Sequence, residues 1–336
     1  MPHVFIIAEA GVNHNGSLEL ALKLVDAAKA SGADAVKFQT FHAELLATRS
    51  AHKAAYQERT TAHTESQFDM LRRLELDAVA HQRLIGHCRK VGIQFLSSPF
   101  DPQSADLLAT MDVPLFKVPS GEITNLPFLQ HMARKGRPLI LSTGMSTLGE
   151  VEEAVNVLQA AGASQLTLLH CVTEYPAPYA EVNLRAMLTL KSAFGLPVGY
   201  SDHTPGIEVA IAAVALGAEV IEKHFTLDRS LPGPDHAASL EPVELQQMVT
   251  AIRHVEAALG TGIKAPARCE LPNISVARKS VVAARSLPAG HQLATEDLDI
   301  KRPGNGLAPK LVPALIGRTL RVALVKDEII RWDHLA

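Results

Sequence analysis

The segment PVGYSDHTPGIEVAIAAVALGAEVIEKHF (197–225) sets the pattern of the whole chain. A short apolar run ending at His203 is followed by a helix-like stretch at 206–217, and then by a second apolar run ending near His224. Runs of this length that are apolar on both faces are typical of buried parallel strands. The segment therefore predicts a strand–helix–strand unit with polar residues at the end of each strand.

The same alternation continues from the first residues to about position 260. Strand-length apolar runs lie at 4–10, 34–40, 94–100, 115–121, 138–144, 166–172, 197–203 and 219–225. Helix-like stretches between them include 17–31, 148–161, 206–217 and 241–259. Eight such runs with intervening helices match the size of a (β/α)₈ TIM barrel. A doubly wound sheet competes, but it usually has fewer repeats and an early glycine-rich phosphate loop, which this sequence lacks.

Two regions interrupt this rhythm. Residues 42–66 form a polar insertion that could lie over a site, and 227–242 form a long loop that could fold over it. Beyond Gly262 the sequence changes to short strands and turns with few helix signals. We predict a catalytic barrel at 1–260, a linker at 261–279 and a small domain at 280–336.

Composition excludes several classes of protein. The chain has 336 residues, a net charge of -3 and 4% aromatic residues. A nucleic-acid-binding protein is therefore not expected, because the net charge would not attract phosphates and few aromatic rings are available for base stacking. No stretch approaches the roughly 18 uncharged apolar residues of a membrane helix. The N-terminal run is typical of a buried strand rather than a signal peptide. Three distant cysteines, Cys88, Cys171 and Cys269, favour a reducing cytoplasm.

Polar side chains recur at the carboxyl ends of nearly all the apolar runs. Barrels of this kind build their active sites at that end, so the recurrence predicts one site. Each side chain alone has a structural explanation, since a strand-end serine often satisfies a backbone group and a lone histidine is usually structural. The set comprises Glu9, Lys37, Gln39, Ser97, Ser98, Lys117, Ser120, Glu122, Ser142, Thr143, Tyr175, Ser201, His203 and His224.

The residue types in this set indicate a chemistry. Lys37 and Lys117 could carry a dianionic phosphate with help from nearby serine hydroxyls, although one lysine could instead pair with an acid. His203 and His224 end consecutive strands and could hold one divalent metal. Carboxylates, including that of Asp235, are available to complete or orient the ligands of that metal, or to act as general acid and base.

Longer strings in the chain resemble the sialic (nonulosonic) acid synthase family from Ile6 through the C-terminal region. The matching strings are IIAEAGVNHNG, DAVKFQTF, FKVPSGEITNLPFL, LILSTGMS, VGYSDHTPG, VIEKHFTLDRSLPGPDHAASLEP and KRPGNGLAP. The resemblance implies a TIM barrel joined to a C-terminal antifreeze-like (SAF) domain. It also implies a domain-swapped homodimer, in which the small domain caps the partner's active site.

The reaction implied by the resemblance is an alkyl transfer from phosphoenolpyruvate to an open-chain, N-acylated amino sugar. Carbon 3 of phosphoenolpyruvate attacks the aldehyde carbon, water adds at carbon 2, and phosphate leaves by C–O cleavage. A divalent metal, Mn²⁺ or Mg²⁺, held by His203 and His224 would polarise the aldehyde oxygen of the sugar. Imidazole ligands suit Mn²⁺ better than Mg²⁺.

The family motifs also imply individual roles. Glu122 matches a carboxylate that manages the attacking water or the intermediate's protons. Glu9 and Asp235, the other candidate catalytic residues, match positions that contact sugar hydroxyls, and Tyr175 matches another sugar-side position. Arg302 matches the arginine that the capping domain sends to the partner's pocket to meet the N-acyl group. Phosphoenolpyruvate would lie on Lys37, Gln39, Ser98, Lys117, Ser120, Ser142 and Ser201.

One segment bears on the choice of sugar. CVTEYPAPYAEVNLRAM (171–187) has Thr173 where bacterial N-acetylneuraminate synthases more often have Asn, and Asn183 where they have Arg. The segment is closer to the legionaminic branch, whose sugar is 2,4-diacetamido-2,4,6-trideoxymannose. His236 differs from the form associated with pseudaminic acid synthases. The sequence therefore favours legionaminate slightly over N-acetylneuraminate, with Thr173 on the sugar side.

Two other functions fit parts of the pattern. Either strand-end lysine could form a Schiff base, which would make the chain a pyruvate-dependent aldolase or lyase without a metal requirement. The paired histidines and the surrounding hydroxyls favour phosphate and metal instead. A non-enzymatic carbohydrate-binding or ice-binding-like protein would not need so many ionisable groups at one end of a barrel.

Overall fold

The computed structural model describes residues 3–61 and 65–336, which form two compact units. The units are Met1–Thr261 and Gly262–Ala336. Each has its own cluster of buried apolar side chains. The division falls at the start of the segment expected to be a linker.

The first unit is built on eight parallel strands, in the order β3-β2-β1-β8-β7-β6-β5-β4. The first strand pairs with both the second and the last, which brings the sheet round into a nearly closed barrel. This order confirms the TIM barrel and excludes the doubly wound sheet. The strands are β1 Phe5–Gly11, β2 Ala35–Thr40, β3 Gln94–Pro99, β4 Phe116–Val118, β5 Leu139–Ser142, β6 Leu166–Cys171, β7 Val198–Asp202 and β8 Val220–His224.

Helices surround the barrel, and those that follow its strands pack apolar side chains against it. The first begins after Ser17, whose hydroxyl accepts a hydrogen bond from the Leu20 N–H and so caps the helix. The helices are α1 Leu18–Ala30, α2 Ala43–Leu46, α3 Ala55–Thr60, α4 Gln67–Leu74, α5 Ala78–Val91, α6 Pro102–Thr110, α7 Leu126–Ala133, α8 Leu148–Ala160, α9 Ala186–Phe194, α10 Glu208–Ala215 and α11 Pro242–Leu259.

The predicted insertion at 42–66 is partly helical. It contains α2 and α3, and α4 follows it directly; residues 62–64 lie outside the described residues. The Ala43 N–H donates to the Glu75 carboxylate at 2.6 Å, which ties the start of α2 to the residue after α4. Apolar side chains of α2 and α4 share one small cluster with Val12 and Phe100. The α2 part of the insertion therefore packs with α4 at the barrel's rim.

Inside the barrel the side chains form layers. Alternate residues of a strand face opposite sides, and those facing outward pack on the helices. The inward residues form a separate apolar layer of Ile7, Ala35, Leu96, Ile140, Leu169 and Val220. Two positions further along the same strands stand Glu9, Lys37, Ser98, Ser142, Cys171 and Glu222. The barrel interior thus changes from apolar to polar within one strand repeat.

The second unit centres on an antiparallel pair, β9 Ser280–Ala283 and β10 Leu298–Lys301. Its remaining helices are α12 Leu271–Ala277 and α13 Val312–Leu315. Because α12 lies within 261–279, that segment is not an extended linker along its whole length. No described helix is long and apolar enough to cross a lipid bilayer.

Candidate active site

A cavity of about 430 Å³ opens at the carboxyl ends of the barrel strands. This is the end at which TIM barrels place their active sites. The cavity brings together most of the side chains that the sequence predicted. Its lining includes Glu9, Lys37, Gln39, Ser98, Lys117, Ser120, Ser142, Thr173, Tyr175, Ser201, His203, His224 and Asp235.

Four buried charged side chains form the floor of this cavity. Lys37 Nζ lies 2.8 Å from Glu9 Oε2 and 3.7 Å from Glu222 Oε2. Lys117 Nζ lies 3.4 Å from Glu222 Oε1. Glu222 therefore stands between the two lysines and holds both within reach of one ligand.

The two carboxylates of the floor differ in their protonation. Burial raises the pKa of Glu9 to about 7, against the attraction of Lys37. Burial alone would raise the pKa of Glu222 as well, but Lys117 and Lys37 together lower it to about 2. Glu222 is thus a fixed anion, whereas Glu9 can exchange a proton near neutral pH.

Sequence reasoning missed Glu222, although a signal for it was present. It precedes His224 by two residues on β8, and residues two apart on a strand face the same side. The EKH string therefore contains two inward-facing groups rather than one. Ser201 donates its hydroxyl hydrogen to Glu222 Oε1 at 3.0 Å, which adds to the fixed position of this carboxylate.

Serine and threonine hydroxyls line the same cavity as the lysines. Lys37 Nζ donates to Ser98 Oγ at 3.0 Å, and the Gly144 N–H donates to Ser120 Oγ at 2.9 Å. A Cβ atom at Gly144 would collide with Thr173 Oγ1, so glycine is required for this close approach. Within the described chain, Ser142 Oγ and Thr173 Oγ1 are buried without hydrogen-bond partners. Both are therefore available to a bound substrate.

The two predicted metal ligands face the same cavity. The rings of His203 and His224 have centroids 5.3 Å apart. His203 Nδ1 bonds the Val172 carbonyl at 2.6 Å, so this nitrogen carries the proton and Nε2 keeps its lone pair. Burial lowers the pKa of both histidines, which keeps them neutral as metal ligands must be.

The donor set around these histidines fits a divalent cation. His224 Nδ1 is buried without a hydrogen bond in the described chain, and it lies 3.8 Å from Asp235 Oδ2. The described residues contain no group of three or more His, Cys, Asp or Glu side chains arranged for a metal ion. The donors that the described residues place there are therefore two imidazoles and a nearby carboxylate.

Aromatic rings cover one side of the histidines. The Tyr175 ring centroid is 4.3 Å from that of His203 and 5.4 Å from that of His224. The Tyr175 ring also contacts that of Tyr56 of α3, with centroids 4.9 Å apart. Tyr56 was missed by sequence reasoning, because nothing in a polar insertion indicates which residue reaches a distant loop.

Asp235 reaches the site from the loop after β8. An added Cβ at Gly11 would lie 3.3 Å from Glu9 Oε1 and 3.5 Å from both Asp235 Oδ2 and Gln39 Nε2. These three side chains therefore approach one another at a position where Gly11 has no side chain. Burial raises the pKa of Asp235 to about 6, against the attraction of Lys37.

The structure does not place Glu122 in the cavity lining. Glu122 follows β4 in a 3-10 turn, is half-buried, and accepts a hydrogen bond from Asn125 Nδ2 at 2.7 Å. Its neighbour Gly121 does line the cavity. Arg302 belongs to the second unit, where it is exposed and donates to the Ala277 carbonyl at 3.1 Å. The roles of both residues stay predictions.

Comparison with known proteins places this geometry in a family. The NeuB family model matches residues 24–264, and the SAF domain model matches 278–336. An N,N'-diacetyllegionaminic acid synthase from Campylobacter jejuni is 53% identical over 98% of this chain and 100% of its own. Another from Legionella pneumophila is 49% identical over 98% of this chain and 94% of its own.

A solved structure agrees with these sequence matches. The N-acetylneuraminic acid (sialic acid) synthetase from Leptospira borgpetersenii superposes with a TM-score of 0.71 at 38% identity. The match covers 81% of this chain and 90% of that one. The family resemblance of the sequence motifs is thereby confirmed, and the chain belongs to the NeuB family, with a C-terminal SAF domain.

Proposed function

We propose that the chain is a nonulosonic acid synthase that condenses phosphoenolpyruvate with an N-acylated mannosamine-type aldose and releases phosphate. The observation that carries this proposal is the pair of buried lysines, Lys37 and Lys117, held by Glu222 in a hydroxyl-lined cavity. Two cations side by side suit the phosphate and carboxylate of phosphoenolpyruvate. Family membership and the two legionaminic acid synthase relatives support the same reaction.

The polar residues of the floor would orient phosphoenolpyruvate and manage protons. Lys37 and Lys117 neutralise its anionic groups, and the unpartnered Ser142 hydroxyl can bond a phosphate oxygen. Carbon 3 then attacks the aldehyde carbon, water adds at carbon 2, and the C–O bond to phosphate breaks. Glu9, with a pKa of about 7, can hold the proton that a sugar oxygen gains or loses. Glu122 is assigned to the attacking water from the family motif.

A divalent cation would be held by His203 and His224, with Mn²⁺ preferred because both ligands are imidazoles. Bound there, it supplies Lewis-acid polarisation of the sugar's aldehyde oxygen. The neutral state of both histidines and the free Nδ1 atom of His224 support this assignment.

The sugar that the proposal favours is 2,4-diacetamido-2,4,6-trideoxymannose. Two relatives that share about half of this chain's residues are N,N'-diacetyllegionaminic acid synthases, at 53% and 49% identity. The buried, unpartnered Thr173 hydroxyl lies in the cavity beside Tyr175 and is available to the sugar. Glu9 and Asp235 converge nearby and can accept hydrogen bonds from its hydroxyls.

We also propose a homodimer in which the SAF domain of one chain caps the partner's site with Arg302. The exposed position of Arg302 leaves its guanidinium accessible for such a contact. Arg302→Ala should then raise the KM for the sugar more than the KM for phosphoenolpyruvate. Mixing it with Lys117→Met should restore part of the activity, because each mixed dimer retains one intact site. Mixed dimers without any recovered activity would contradict the exchange.

The test of the proposed function is phosphate release from phosphoenolpyruvate with Mn²⁺ and each sugar in turn. We expect turnover of the trideoxy sugar, slower turnover of N-acetylmannosamine, and loss of both with a chelator. Glu122→Gln should abolish turnover while leaving binding. Metal-independent activity, together with borohydride trapping of a pyruvate adduct, would instead indicate a Schiff-base lyase.

A further inference from the structure

The cavity has an apolar wall that the phosphoenolpyruvate chemistry does not use. A small cluster of apolar side chains, separate from the barrel core, packs at the barrel's rim. Six of its seven members also line the cavity. We call these six side chains the apolar wall: Val12, Leu46, Met70, Leu71, Leu74 and Phe100.

The insertion between β2 and α5 supplies most of this wall. Leu46 belongs to α2, and Met70, Leu71 and Leu74 belong to α4. Met70 and Leu74 are each 1% exposed, whereas Leu46 and Leu71 are half-buried. The half-buried leucines leave apolar surface on the cavity itself. A wall of this kind is stabilised when a ligand covers it with apolar groups.

Neither phosphoenolpyruvate nor a hydroxyl-rich sugar provides that cover. Phosphoenolpyruvate carries a phosphate and a carboxylate, which the lysines and serines of the floor satisfy. N-acetylmannosamine has a single methyl group, on its acetyl, and a hydroxyl at carbon 6. The trideoxy sugar has three methyl groups, because carbon 6 is deoxygenated and carbon 4 carries a second acetamido group. A hydroxyl placed against the wall would lose its hydrogen bonds to water without replacement.

We infer that the apolar wall contacts the end of the sugar that carries the carbon-4 acetamido group and the carbon-6 methyl group, so that the α2–α4 insertion selects the trideoxy substrate. The inference rests on the proposed function and names the part of the site that sets its sugar specificity. It assigns that role to the insertion rather than to the segment around Thr173. An apolar surface discriminates only moderately against an added hydroxyl, so we expect a preference of about 10- to 100-fold.

Adjacent leucines on α2 provide a matched test. Leu46 lies on the wall, whereas Leu45 is 49% exposed and is not part of the cavity lining. Leu46→Gln should lower kcat/KM for the trideoxy sugar about tenfold. It should change kcat/KM for N-acetylmannosamine less than twofold, and leave the KM for phosphoenolpyruvate unchanged. Leu45→Gln should alter neither sugar. Leu71→Gln on α4 should reproduce the selective loss, and it serves if Leu46→Gln does not fold.

Several results would overturn the inference. Equal losses of kcat/KM with both sugars in both wall variants would show that the wall has only a structural role. A change of preference in Thr173→Asn but in neither wall variant would move the specificity to the 171–187 segment. Wild-type preference for N-acetylmannosamine would refute the inference and leave phosphoenolpyruvate condensation intact. Phosphate release with neither sugar would refute the proposed function itself, and the inference with it.

Discussion

Two layers of side chains inside the barrel are built on the same strands but contribute differently to the protein. The lower layer, formed by residues such as Leu96 and Val220, is entirely apolar. The upper layer, two residues further along each strand, carries Glu9, Lys37 and Glu222. Burying apolar groups stabilises the fold, whereas burying charges costs free energy unless each is paired. The comparison indicates that the barrel concentrates its stability in one layer and its chemistry in the next.

The largest effect should come from removing a charge in the upper layer. Lys117→Met should lower kcat/KM for phosphoenolpyruvate by about 10³-fold, because one of two buried cations facing the substrate is lost. Stability should change far less, since Glu222 keeps Lys37 and Ser201 as partners. Phosphate-release kinetics and thermal unfolding would measure both. A variant that is strongly destabilised but keeps its kcat/KM would contradict the distinction between the layers.

Strand β3 provides a matched pair across the two layers. Leu96→Ala in the lower layer should destabilise the barrel by about 3 kcal/mol, because it leaves a cavity in a packed core. Its kcat at 25 °C should stay within about twofold, because Leu96 touches no substrate. Ser98→Ala should do the reverse, with activity about tenfold lower and little change in stability. Urea unfolding followed by circular dichroism, alongside kinetics, distinguishes the pair. Similar profiles for both variants would contradict the layered arrangement.

A smaller effect is expected where the upper layer depends on a loop. Gly233 has a φ of +153°, and a Cβ there would lie 2.7 Å from His236 Cδ2 and 2.8 Å from Asn15 Oδ1. Gly233→Ala should therefore displace the loop carrying Asp235 and raise the KM for the sugar about 30-fold. Gly162→Ala, also at positive φ but with no neighbour within 4 Å, is the control. Equal effects from both variants would exclude displacement of Asp235 as the cause.

The smallest effect concerns a buried carboxylate outside the barrel. Asp297 accepts hydrogen bonds from Arg285, His291 and the Ala294 N–H, and these partners lower its pKa to about 2 despite burial. Its stabilisation is therefore present above the unfolded pKa near 4 and lost as pH falls toward 2. Asp297→Asn should lower the free energy of unfolding of the second unit at pH 7 and remove this dependence.

Fluorescence of Trp332, the single tryptophan of the chain, reports unfolding of the second unit that contains Asp297. The barrel's unfolding, followed by circular dichroism, should not change in this variant. An unaltered pH dependence in Asp297→Asn would show that other groups control the acid stability of the second unit.

Much of the fold could be predicted because its signals are local. Apolar runs of strand length, caps such as Ser17 and glycines after helices act within a few residues, so the eight-strand alternation is visible without a structure. The polar ends of the strands are visible in the same way, because they come at the end of each apolar run. The strand ends also predicted the pairing of His203 with His224, and the family motifs then implied the reaction.

What the sequence alone determined is the barrel, the end at which the site lies, and the residue types available there. Tertiary structure alone decided that Glu222 bridges the lysines, that Tyr56 packs against Tyr175, and that α2 and α4 supply most of an apolar wall. It also decided that Glu122 lies outside the cavity lining. These features depend on contacts between residues far apart in the chain, and such distances are set only when the barrel closes and the insertion packs on its rim.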